Sequence, residues 1–162
     1  MSLSEISLHT PTKEKVNPWT KNKAVCQDLY SSCGENFIRL PEELQKSTIY
    51  LVDWKHAIEH DATITNFRWH TSFPLCLPTS YRLEHLLKDI PRLKPVKKDV
   101  LTEEEKNTIT FVAKFVNEVR VNDFQRIIRS LYPLIACECF QSLDPMSYVN
   151  RYRRIRTKLA LK

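Results

Sequence analysis

Arg151, Arg153, Arg154, Arg156 and Lys158 crowd the end of the chain, and guanidinium-rich runs of this kind neutralise phosphates and release their counterions. Tyr148, Tyr152, Ile155 and Leu159 recur among them at i, i+4, i+7 and i+11, which predicts a helix with a narrow apolar stripe. A stripe docked on a core would leave Arg151, Arg154 and Lys158 on one flank and Arg153 and Arg156 on the other. Lys94, Lys97 and Lys98 add a second basic segment in the Pro-rich run from Pro91. The expected partner is DNA or RNA, contacted through its phosphate backbone with strong salt dependence and weak sequence preference. The plainer alternative is a terminal amphipathic helix whose cations offset the helix dipole.

The charge map concentrates that expectation. The net charge of +6 divides into −1 over residues 1–60, +3 over 61–101, −1 over 102–143 and +5 over the remainder, so the excess sits in one linker and one terminal segment.

Other chemistries find less support. Gly34 is the only glycine. Phosphate-cradling loops, dinucleotide fingerprints and nucleophile elbows need several, because only glycine lets the backbone turn with positive φ or approach a ligand closely. Cys26 and Cys33 are seven apart and His56 and His60 four apart, so two helices could present them to one tetrahedral zinc ion, but the spacing is that of no common zinc motif. Neither a metal nor a cofactor is expected. No spacing selects a nucleophile and base, and the chain reads as non-enzymatic. The five cysteines, including Cys76 and the pair Cys137 and Cys139 in an apolar helical run, read as free thiols in a reducing compartment. No stretch approaches the roughly 20 apolar residues of a membrane span. The expected location is the nucleus, with the cytoplasm as alternative.

The elements that must position these residues are mainly helical: about six helices, with a short extended or β segment near residues 63–73. Residues 1–17 read as a loose polar arm. A unit over 18–60 should contain a helix from 20 to 33 closed by Gly34, a second from about Leu40, and a third from Ser47 to His60 with Tyr50, Leu51, Trp54, Ala57 and Ile58 on one face. Residues 61–101 should hold the extended segment, in which Phe67, Trp69, Thr71 and Phe73 alternate, then a short helix over 80–90 and the basic linker. In the bundle over 102–162, Thr102 and Glu105 form a capping box. It opens a helix expected to be central, buried along Ile109, Val112, Val116 and Val119 and again along Phe111 and Phe115. Pro133 should kink or split the next helix, and Asp144-Pro145 opens the last.

Trp19, Phe37 and Trp54 lie 18 and 17 residues apart around Gly34 and Leu40 to Leu44, and in this respect residues 19–58 resemble the Myb/SANT repeat, a three-helix module that packs regularly spaced tryptophans. Pro41, the Lys-Asn-Lys after Thr20 and a third helix offering only Lys46, Lys55 and His56 depart from the family's pattern. With residues 1–60 at net −1, the resemblance implies the protein-binding kind of module. The leading expectation is a nuclear subunit of a larger complex that associates with DNA, RNA or chromatin. The alternative is a protein-interaction adaptor that docks through Phe67, Trp69 and Phe73.

Overall fold

The structure, a computed structural model, describes residues 15–72, 75–97, 99–138 and 140–160. Helix α1 spans Pro18–Cys33, and Asn17 caps it by accepting from the Trp19 amide at 2.9 Å. Gly34 ends it at φ +57, donating its N–H to the Tyr30 carbonyl at 2.7 Å. A one-turn helix α2, Glu35–Ile38, follows, and then α3 runs unbroken over Glu42–His60. The second and third helices expected within 40–60 are therefore one. Pro41 sits at the N-cap, where its missing N–H costs nothing, and Glu42 and Glu43 complement the dipole.

Asp61 reverses the chain in the left-handed conformation, and the following segment becomes extended. Alternation buries Phe67, Trp69 and Thr71 while Arg68 and His70 face outward. Strand β1, His70–Ser72, pairs antiparallel with β2, Leu77–Thr79, in the register His70 to Thr79. Cys76, in the connecting turn, is disulfide-bonded, while Cys26, Cys33 and Cys137 are free thiols. The all-thiol expectation fails at Cys76, because sequence spacing carries no information on which chain segments come within bridging distance.

Helix α4, Tyr81–Asp89, and a 3-10 turn, Ile90–Arg92, lead into the strap before α5, Glu103–Glu118. The capping box is present: the Glu105 amide donates to Thr102 Oγ1 at 3.2 Å and the Thr102 amide to Glu105 Oε2 at 2.9 Å. Ile109, Val112, Ala113 and Val116 are buried, but Phe111 is exposed and Phe115 only half-buried, so α5 has one core face. Phe111 instead lies beneath the Lys55 ammonium, 4.0 Å from its ring centre. The central element is α3, which packs against β2, α4, α5, α6 and α8. The next helical run is split as Pro133 predicts, into α6, Val121–Arg129, and α7, Tyr132–Ala136. Cys137 lies beyond α7 rather than inside a helix, and Cys139 lies outside the described residues. The chain ends in α8, Pro145–Ala160. The eight helices and two strands among the described residues make the fold mainly α with a short β hairpin.

Candidate nucleic-acid interface

Position is imposed on α8 from a buried carboxylate. Asp53 lies in the middle of the core face of α3 and accepts from the Ile64 amide at 3.1 Å, the Thr65 amide at 2.9 Å, the Thr65 hydroxyl and Trp69 Nε1 at 3.0 Å. Burial pushes its pKa up to about 6 against the pull of these donors. Trp69, so fixed, accepts the Leu143 amide on its carbonyl at 2.9 Å, and the Tyr50 hydroxyl donates to the Leu143 carbonyl at 3.1 Å. Leu143 is buried, and Asp144 directly after it caps α8, accepting from the Met146 amide at 3.2 Å and the Ser147 hydroxyl at 3.1 Å.

From there α8 divides. Tyr148 and Val149 are buried, and Tyr152 sets its ring edge-on to Trp54 with centroids 5.4 Å apart. Arg153 donates from Nη1 to Asp61 Oδ1 at 2.6 Å and from Nη2 to the Ile58 carbonyl, closing the C-terminal end of α3. Beyond it the apolar stripe leaves the body: Ile155 is 42% and Leu159 65% exposed. Seven residues past Arg153 at 1.5 Å each make a projection of about 10 Å. Arg151, Arg154, Arg156 and Lys158 are exposed, and none forms an ion pair among the described residues. Asn150, Arg153, Arg154, Thr157 and Lys158 line a shallow concavity along one side of the helix.

The other basic segment is held elsewhere. Lys94 and Lys97 are exposed on the strap, which Gln27 of α1 clamps by donating to the Lys94 carbonyl at 2.8 Å and accepting from the Val96 amide at 3.1 Å. No hydrogen bond or ion pair joins this strap to α8 among the described residues. Lys98 lies outside them.

Two further sequence readings meet different geometry. Phe67 and Trp69 are 9% and 3% exposed, stacked edge-on with centroids 5.7 Å apart, so they cannot form a docking surface; Phe73 lies outside the described residues. Strand alternation, which marks one face apolar, turned that face inward onto α3. The cysteine and histidine pairs do not converge either, and no group of three or more His, Cys, Asp or Glu side chains able to hold a metal occurs among the described residues. Cys26 is wholly buried, which raises its pKa, and His56 bonds Thr108 through Nδ1 at 3.0 Å. Burial holds His56 below its ordinary pKa, while His60 stacks on it at 4.4 Å and reaches toward Glu104 at 3.5 Å.

Sequence reasoning missed Asp53 and Asp61. A carboxylate inside the apolar run from Tyr50 to Ala57 was the available signal for Asp53. Nothing local marked Asp61 as the partner of Arg153, because the two meet only through the fold. No protein-family model, curated protein or solved structure matches this chain. No helix among the described residues is long and apolar enough to cross a membrane.

Proposed function

We propose that this protein is a non-enzymatic nuclear subunit that associates with nucleic acid through the exposed face and projecting end of α8. Arg151, Arg154, Arg156 and Lys158 make the phosphate contacts, and Arg153 anchors the helix to α3. The observation that supports this most is the set of four exposed cations, without carboxylate partners among the described residues, on a helix that extends past its own docking site. A helix so presented fits the backbone or the major groove of a duplex, where guanidinium groups meet phosphates in pairs. Recognition through phosphates fixes register and orientation while reading little sequence. The aromatics of the Myb/SANT resemblance occupy separate contacts, Trp19 on Phe67 and Trp54 on Tyr152, so the reading rests on α8 rather than on residues 19–58.

Duplex binding measured across salt tests it. Four phosphate contacts predict a slope of about −3 to −4 in log K against log salt, and replacing Arg154, Arg156 and Lys158 by alanine should flatten it by about 3. No binding at low salt, or an unchanged slope, refutes the reading. The exposed Ile155 and Leu159 favour a second one, in which the same helix docks on another subunit by its apolar stripe. In that case Ile155→Ala with Leu159→Ala would abolish subunit association while leaving duplex affinity intact.

A further inference from the structure

Lys15, Lys23, Lys94 and Lys97 line one open cleft of about 580 Å³ with Thr20, and no acidic residue among those described lines it. They arrive from three separate stretches: the segment before α1, the second turn of α1, and the strap. The Gln27 clamp, one helical turn beyond Lys23, holds the strap against α1 and so fixes two of the four cations relative to the third. None of the four forms an ion pair among the described residues, and the first turn of α1 carries no acid. Gathering like charges without a counter-charge is unfavourable in itself, and it becomes favourable when a polyanion binds between them. Val16, Val96 and Val100 supply an apolar wall beside the lysines.

We infer that this cleft is a binding site for a compact oligophosphate, separate from the nucleic-acid face on α8. Lysine ammonium groups are point charges on flexible stems that suit phosphate without demanding planar geometry. Each phosphate group brings about one to two negative charges near neutral pH, so two or three linked phosphates match four ammonium groups. The cleft's volume lies in the range of small-ligand sites, and its cations converge from three segments as a compact anion requires, whereas those of α8 are strung along a single helix that suits a duplex. The same chemistry is offered by a bare phosphate chain and by a nucleoside triphosphate, whose base would rest on the valines.

Titration calorimetry of the full chain at low salt, with tripolyphosphate in one arm and ATP in the other, is the test. Saturable one-to-one binding is expected in at least one arm, weakened about tenfold or more by combined Lys23→Ala and Lys97→Ala. Tighter binding of ATP identifies the nucleotide as the ligand form, and equal or tighter binding of tripolyphosphate identifies the bare chain. Alanine at Arg154, Arg156 and Lys158 should leave either affinity within about twofold while weakening duplex binding. The two sites therefore fail independently. Amide shifts in the unsubstituted protein, expected at Thr20, Lys23 and Val96 on adding tripolyphosphate, locate the site should the double variant not fold. Absence of saturable binding in both arms, affinity unchanged by the lysine substitutions, or shifts confined to α8 would overturn the inference.

Discussion

Helices α3 and α8, of 19 and 16 residues, both present an apolar stripe, yet they end in opposite situations. The first is enclosed on several sides, so even Lys46 and Asp53 are buried, each within a set of partners: Lys46 with Glu42 at 3.3 Å and Glu84 at 2.6 Å, Asp53 with four donors. The second is docked through Tyr148, Val149 and Tyr152 and then runs free. A polar group on α3 must therefore be satisfied by the protein, whereas the cations of the projecting half of α8 remain available to a partner. The same sequence pattern becomes scaffold or surface according to what covers it.

The sharpest way to break the contrast is Trp54→Ala, which removes a large buried ring from α3 together with its edge contact to Tyr152. It should cost about 3–5 kcal/mol in chemical denaturation and also loosen α8. A loss below about 1 kcal/mol would show that α3 is not the enclosed element described.

Acidification comes next. Asp53 carries a folded-state pKa of about 6 against an ordinary 3.8, so the folded protein holds this proton more tightly than the unfolded chain does. Stability from this group is gained as pH falls from about 6 towards 3.8, and above pH 6 its ionised form is a cost of about 3 kcal/mol. His56 acts in the opposite sense, because its lowered pKa makes stability fall as pH drops below the ordinary 6.5. The difference in urea stability between the native chain and Asp53→Asn isolates the first effect, and it should shift in favour of the native chain between pH 6.5 and 4. A flat difference would mean that Asp53 is hydrated.

Arg153→Ala should cost less than about 1 kcal/mol, because the pair with Asp61 is partly exposed and screened, and duplex affinity should stay within about twofold. A loss equal to that of Arg154→Ala would place Arg153 in the interface rather than at the anchor. The smallest effect is expected from Leu159→Ala, within about 0.5 kcal/mol in thermal unfolding. A larger loss would mean that the last turn of α8 is covered.

Much of the fold was legible where the controlling chemistry is local. Gly34 ends α1, Thr102 and Glu105 close a capping box, Pro133 divides α6 from α7, and Asp144-Pro145 opens α8, each through backbone groups within a few residues. Alternation at Phe67, Trp69 and Thr71 similarly announced an extended segment with one apolar face, of which His70–Ser72 pairs as a strand. Pro41 with Glu42 and Glu43 marked the start of α3, but its continuity through Ser47 was harder to foresee, since serine caps helices and also sits inside them, here with its hydroxyl on the Glu43 carbonyl. Phe111 on the outer side of α5 was not legible at all, because a second apolar stripe is buried only if another element reaches it. Of the candidate cations, exposure of Arg151, Arg154, Arg156 and Lys158 followed from the helical period, but the pairing of Arg153 with a residue in the turn after α3 did not.

The sequence by itself determined a mainly helical chain with several of its helix ends in place, its excess positive charge in two segments, and no set of glycines for a phosphate-cradling loop. These are properties of composition and of contacts within a turn or two. Only the tertiary structure decided that Asp53 would organise the path from α3 to α8, that Phe67 and Trp69 would be core rather than surface, and that Cys76 would be bonded. It also decided which arginine was occupied, and it drew Lys15 and Lys23 towards Lys94 and Lys97. The reason is physical: burial, ion pairing and clustering depend on distances between segments far apart in the chain, and those distances exist only once the core has closed.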